Sequence, residues 1–460
     1  MNNKIERSIF RAYDIRGVVD EHLTADAVYL IGRAFAKKCF DEKIEQVIIA
    51  RDGRLSGKNL SASLTKGLND GGVDVIDIGM QPTPVLYFAT FYFKTGTGIM
   101  ITGSHNPPAY NGLKMMLNGK TLYGDLIMDL YHIICQNNSI DGAGKYKEQD
   151  LKPEYINKIT CDIKLSKPLK IAIDCGNGVA SEIAPELFEK LGCKVQKLFC
   201  QTDGNFPNHH PDPSKPENLT DLIKTVKEQK LDLGLAFDGD GDRLGVIDSG
   251  GNIIWPDRQM ILFSRDVIKN HPKAKIIYDV KCSVLLPQEI EKAGGVGIMS
   301  KTGHSFIKNK MIETKALLGG EMSGHIFFKH RWFGFDDALY AGSRLLEIIS
   351  AQDKNSQSIF ANLPNSFNSP EIVINFKNEG DNFKFVDRFK AEFKADNARI
   401  TTIDGLRADF ENSWGLCRAS NTTPAIVLRF EAFDEKSLND ITELFKDVIR
   451  KIDKNLKLVF

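Results

Sequence analysis

The 460-residue sequence has no apolar stretch near the roughly 20 residues that a helix needs to cross a bilayer, which excludes a helical membrane protein. It also lacks net charge, because 60 basic residues balance 60 acidic ones. Without a global field, neither nucleic acid nor an anionic membrane is an expected partner, and any anion site has to be built from a local cluster. The eight cysteines are scattered and form no Cys-x-x-Cys pair, so neither a disulfide framework nor a zinc site is expected. Met1 to Arg7 carries charges with no apolar signal core behind them, which makes the cytoplasm the expected compartment.

What the sequence does have is length and pattern. A chain of 460 residues, 42% hydrophobic and 26% charged, is globular in composition and too long for one core. Three short β-branched runs end in aspartate: Val47 to Asp52, Ile171 to Asp174 and Ile276 to Asp279. Each reads as a buried parallel strand. A helix-like stretch comes after each one, then a second strand led by a glycine, at Gly72, Gly192 and Gly295. A third strand then runs into a polar, glycine-rich segment beginning at Thr102, Asp238 or Gly320. The pattern predicts three α/β units whose corresponding strand ends line one cleft, since open α/β sheets bind ligands at the carboxyl ends of their strands. Past Pro364 the pattern changes to alternating strands (Glu371 to Phe376, Ala425 to Phe430) and a helix near Leu438 to Lys451, an α+β unit. The predicted domains are 1–152, 153–254, 255–366 and 367–460.

Five segments concentrate the chemistry. In Thr102-Gly103-Ser104-His105-Asn106-Pro107-Pro108, a glycine frees the backbone beside a serine and two prolines stiffen the far side of the loop; Lys114 adds a cation. A hydroxyl held this way suits phosphoryl transfer, and a polar turn satisfying its own backbone is the plainer alternative. A nucleotide-binding P-loop ending in Gly119-Lys120-Thr121 is excluded because position 114 is lysine. In Asp238-Gly239-Asp240-Gly241-Asp242-Arg243, alternating aspartates on an extended segment that curls at its glycines bring three hard oxygen donors together, a set suited to Mg²⁺. An EF-hand is excluded by Arg243 at the turn position and Ser249 where the bidentate glutamate belongs. In Gly319-Gly320-Glu321-Met322-Ser323-Gly324-His325, Glu321 and Ser323 can meet vicinal hydroxyls and His325 can transfer a proton. Arg418-Ala419-Ser420-Asn421-Thr422 offers a guanidinium, hydroxyls and an amide as a phosphate cradle, or serves as a polar strand entry. Near the start, Phe10 to Gly17 holds Arg11, Tyr13, Asp14 and Arg16; Arg11 is expected to pair with Asp14, leaving Arg16 for phosphate.

Taken in this order, the segments from Phe10 to Thr422 resemble the α-D-phosphohexomutase family, and within it the bacterial phosphomannomutase/phosphoglucomutase branch. The resemblance implies four domains around a central cleft: three repeated α/β mixed-sheet units and a C-terminal α+β domain. It implies Ser104 as phosphoserine, with Asp238, Asp240 and Asp242 holding Mg²⁺ beside its phosphate. Arg16, Lys114 and Arg243 would assist at the reacting end, with Lys114 and His325 as the proton-transfer groups. Glu321, Ser323, His304, Lys281 and Tyr13 would contact the sugar, and Arg418, Ser420, Asn421 and Thr422 the phosphate that is not reacting. The implied reaction interconverts hexose 1- and 6-phosphates of mannose or glucose, with glucose 1,6-bisphosphate as activator. Met322 favours this branch over phosphoglucosamine mutases, where glutamine is more typical; a non-catalytic sugar-phosphate-binding protein on the same fold is the alternative from another class.

Overall fold

The computed structural model describes residues 5–421, 423–458 and 460. Three of its sheets share one plan. A first strand (Gln46–Arg51, Lys170–Asp174 or Lys275–Asp279) lies inside each sheet. A second (Asp74–Met80, Lys194–Leu198, Val296–Ser300) pairs parallel to it on one side. A third (Gly98–Ile101, Leu233–Phe237, Leu318–Gly320) pairs parallel on the other. A fourth (Tyr110–Leu117, Leu244–Asp248, Ile326–Phe328) returns antiparallel beside the third. The order fourth–third–first–second therefore recurs three times, which is the expected repeat with one strand added.

The glycines expected to lead the second strands instead end the helices before them. Gly72 and Gly192 take left-handed φ values of +82° and +92°, and in the third unit that place belongs to Gly294 (φ +87°), not Gly295. A left-handed residue just past a helix end satisfies its last carbonyls, and only glycine adopts it without a steric cost. Some helices start on a side-chain cap, at Thr24, Asp337, Asn355 and Asp434. Thr24 Oγ1 accepts from Ala27 N at 3.1 Å to begin Ala25–Asp41, whose Val28, Ile31 and Phe35 share a core with Leu60, Leu64 and Leu68 of Gly57–Asp70.

The other faces of the first three sheets share one apolar core, running from Ile48 and Leu86 through Ile171 and Phe237 to Phe263 and Ile276. The fourth unit has its own, built on Phe389, Leu428, Phe430 and Phe445. Its central strand Ala425–Ala432 pairs antiparallel with Ser413–Ala419, Ile372–Asn375 and Phe367–Asn368. The helices Asp381–Glu392 and Glu435–Ile452 cover that sheet. It meets the third unit through a small apolar cluster of Val280, Trp414 and Leu416 and through polar contacts: Arg407 Nη1 donates to the carbonyls of Val280 (2.7 Å) and Cys282 (2.8 Å), and Ser283 Oγ donates to Glu431 (2.5 Å). Among the described residues no helix is long and apolar enough to cross a membrane.

Candidate active site

The ends of corresponding strands supply the site. Ser104, Asp238 and Glu321 each come just after a third strand, while Lys281 and His304 come after the first and second strands of the third unit. The antiparallel fourth strands carry or adjoin Lys114, Arg243 and His325, and Arg243 and His325 pair as an isolated β-bridge. The repeat thus brings a serine loop, an aspartate-rich loop and a Glu–His loop to equivalent positions.

Ser104 Oγ donates to Asp238 Oδ2 at 2.9 Å and lies 3.1 Å from His105 Nδ1. Its φ is +48°, a left-handed conformation unusual outside glycine. The aspartates sit on a turn closed by Gly241 at φ +75°, not on an extended segment. That turn brings one oxygen from each of Asp238, Asp240 and Asp242 within 4.8 Å of one another, all buried. Lys114 Nζ reaches Asp240 Oδ2 at 2.6 Å and Asp242 Oδ2 at 2.5 Å. Asp240 Oδ1 is buried and accepts no hydrogen bond from the described residues. Burial and the charges of Asp242 and Asp240 hold the Asp238 carboxyl well above its usual range. Three crowded carboxylates with lone pairs to spare fit a hard divalent cation.

His325 faces carboxylates at both ring nitrogens, Nδ1 at 2.9 Å from Glu321 Oε2 and Nε2 at 3.2 Å from Asp242 Oδ1. Burial opposes its protonation, but Asp242 and Glu321 outweigh it and raise the ring to about 9. Ser323 Oγ is 3.0 Å from the same Nδ1. His304 is the opposite case: burial and the nearby Lys308 and Lys114 charges push it well below the ordinary imidazole value. Lys281 pairs with Glu371 at 3.0 Å.

The far rim is a separate cluster. Arg418 Nε donates to Asp404 at 3.0 Å, and Asp404 also accepts from Thr302 N at 3.0 Å. Asn421 donates to the Tyr13 hydroxyl, which donates to the Thr302 carbonyl at 3.1 Å. Ser420 lies in the same loop, and Thr422 falls outside the described residues. The arginine pairing expected near the start is reversed: Arg16 bonds Asp14, and Asn106 Oδ1 at 2.6 Å, whereas Arg11 reaches Glu379 at 2.7 Å.

Several residues of the site carry little signal in the sequence. Arg54 and Asp52 lie beneath the serine loop, Thr83 Oγ1 donates to Asp240 Oδ2 at 2.6 Å, and Lys308 and Asp336 form a buried 2.9 Å pair beside His304. Only Asp52 stands out there, as the aspartate ending an expected strand.

Four family models for phosphoglucomutase/phosphomannomutase match in sequence order: α/β/α domain I over residues 7–139, domain II over 153–251, domain III over 255–367 and the C-terminal domain over 374–448. The chain belongs to the phosphoglucomutase/phosphomannomutase family. Within this family it is 50% identical to phosphomannomutase/phosphoglucomutase of Pseudomonas aeruginosa, over 98% of both chains. It is 52% identical to phosphoglucomutase of Neisseria meningitidis, over 97% of both. A crystal structure of a phosphoglucomutase/phosphomannomutase family protein from Burkholderia thailandensis superimposes with a TM-score of 0.94 at 47% identity, covering 99% of this chain and 100% of that one.

Proposed function

We propose that this phosphohexomutase interconverts the 1- and 6-phosphates of mannose and glucose in the cytoplasm through a phosphorylated Ser104. The observation that carries this reading is the Ser104 hydroxyl, 2.9 Å from Asp238 in a buried cluster that also holds Lys114 and His325, with the partly exposed Arg243 beside it. Phosphoserine 104 gives its phosphoryl group to a sugar hydroxyl, the bisphosphorylated sugar turns round, and its other phosphate returns to Ser104. Asp238, Asp240 and Asp242 would hold Mg²⁺ beside the phosphoserine, where the ion supplies neutralisation of charge on the transferring group.

The chain's own groups do the rest. Arg243 and Lys114 add fixed positive charge at the reacting end, and burial strengthens it. Arg16, held by Asp14 and Asn106, presents its guanidinium to the incoming phosphate. His325, poised between Glu321 and Asp242, and Lys114 are the groups that exchange protons with the reacting hydroxyl. Glu321, Ser323, His304, Lys281 and Tyr13 contact the sugar. Arg418, Ser420, Asn421 and Thr422 hold the idle phosphate whichever end of the sugar it occupies. A clamp that accepts either end is what separates a mutase from a phosphatase.

A coupled assay with mannose 1-phosphate, glucose 1-phosphate and glucosamine 1-phosphate tests the reading, with Mg²⁺ and a trace of glucose 1,6-bisphosphate as activator. Turnover of the first two above the third, lost in Ser104→Ala with the fold intact, supports it. Preference for glucosamine 1-phosphate would move the chain to another substrate branch. An active Ser104→Ala variant would sink the mechanism.

A further inference from the structure

A guanidinium carries five N–H donors in one plane, and the buried Arg54 uses all of them. Nε donates to Asp52 Oδ2 at 3.1 Å. Nη1 donates to the carbonyls of Pro107 (2.7 Å) and Tyr110 (2.8 Å). Nη2 donates to the carbonyls of Ser104 (2.7 Å) and Asn106 (2.6 Å). Four of the five acceptors are thus main-chain oxygens between Ser104 and Tyr110, along the serine loop and the first residue of the strand that follows it. Asp52 holds the entry to the same loop: its carboxylate accepts from Thr102 Oγ1 at 2.7 Å and Gly103 N at 3.2 Å, and Thr102 Oγ1 accepts from Ser104 N at 2.8 Å.

The surroundings leave the guanidinium no other task. Its side chain is fully buried. The Phe206 ring covers it from the second unit, 5.3 Å from Cζ to the ring centroid. The space beside Gly103 is taken as well, since a Cβ there would lie 2.5 Å from Arg54 Cζ, so the glycine next to the serine makes room for the arginine. Sealed in this way, Arg54 meets neither sugar nor phosphate. Above it Ser104 keeps its left-handed φ of +48°, a conformation that persists in an L-residue when its surroundings impose it.

We infer that Arg54 is a positioning residue for phosphoryl transfer: acting through four loop carbonyls, it fixes Ser104 Oγ where both half-reactions need it. The inference rests on the reading of Ser104 as the phosphoryl carrier. Transfer requires Oγ in line with phosphorus twice in each turnover, and a displacement of about 1 Å costs about 100-fold in rate. Lysine is no substitute, because a point charge with three donors cannot serve five acceptors arranged around a planar fork.

The test uses the full-length enzyme and radiolabelled glucose 1,6-bisphosphate, reading the rate of Ser104 labelling together with kcat, KM for glucose 1-phosphate and Tm. Arg54→Lys is expected to lower Tm, because at least two buried carbonyls lose their donor, yet to stay folded with KM within about twofold, while labelling and kcat fall about 100-fold. In Arg54→Ala, millimolar methylguanidinium should restore part of the labelling rate, a response that a general packing defect would not give. Wild-type labelling in Arg54→Lys would overturn the inference, as would a raised KM at unchanged kcat, which would mark a substrate contact. Should both variants fail to fold, Asp52→Asn decides: it keeps the guanidinium, removes its anchor and must lower kcat at constant KM, and an unchanged kcat would overturn the inference. Failure of wild-type protein to label would instead defeat the reading of Ser104 itself.

Discussion

Tyr13 and Asn421, 408 positions apart in the chain, are hydrogen-bonded to each other across the cleft, the Asn421 amide donating to the phenol oxygen. Tyr13 donates its own proton to the Thr302 carbonyl at 3.1 Å and packs edge-on against Phe306, so one side chain joins the first, third and fourth units. Because the fourth unit has a core of its own, such links are among the contacts that tie it to the other units. Tyr13→Phe removes two hydrogen bonds and keeps the ring. It should raise KM for glucose 1-phosphate about fivefold, matching about 1 kcal/mol of lost hydrogen bonding, with kcat within about twofold. Escape of the bisphosphorylated sugar, measured by trapping it in solution, should rise as well.

Asp240 divides its two oxygens between different duties. Oδ2 accepts from Lys114 and Thr83, both at 2.6 Å, while Oδ1 accepts nothing from the described residues. Asp240→Asn keeps the shape and removes the charge. Apparent Mg²⁺ affinity, read from activity against Mg²⁺ concentration, should weaken by at least about tenfold, and kcat should fall at saturating metal. An unchanged metal dependence would remove Asp240 from the site.

The strand ends are legible in the sequence because a short β-branched run closed by aspartate or a glycine-rich turn is hard to read as anything else. The antiparallel fourth strands are not. Tyr110–Leu117 and Leu244–Asp248 are buried almost throughout, so they show no alternation, and they sit inside or beside the segments that hold the motifs. Yet those strands set the register that brings Lys114, Arg243 and His325 to one point. The arginines show the same limit. Asp14 is the nearest aspartate to Arg11 in sequence, but the partner of Arg11 is Glu379, 368 residues away, and proximity in sequence carries no information about such a pair. Arg54 is hidden for the same reason: its acceptors are 50 or more positions distant, apart from Asp52.

Gly239 lies where the serine and aspartate loops meet. A Cβ on it would sit 2.3 Å from the Ser104 carbonyl oxygen, which Arg54 holds from the other side. Neither partner can retreat, because one is backbone and the other is anchored by a buried guanidinium. Gly239→Ala should therefore cost about 1–3 kcal/mol of stability through overpacking. It should also abolish Ser104 labelling while leaving all three aspartates in place. Thermal unfolding and radiolabelling check both halves; a variant that labels normally would mean that the loops separate more easily than this contact implies.

His209 gives the pH dependence its sign. Both ring nitrogens face acceptors, Nε2 at 3.1 Å from each Asp174 oxygen and Nδ1 at 3.0 Å from the His210 carbonyl, so the ring satisfies both only when doubly protonated. Burial opposes that charge, but the Asp174 carboxylate outweighs it and raises the ring above its ordinary value. A histidine whose folded value exceeds its unfolded one contributes stability that is fully present below the unfolded value, about 6.5, and lost as pH rises through the folded value. His209→Gln removes the charge at every pH. The Tm deficit of this variant should therefore be largest near pH 6 and shrink as pH rises from there into the alkaline range. A deficit that stays constant across that range would show that His209 acts there as a neutral ring.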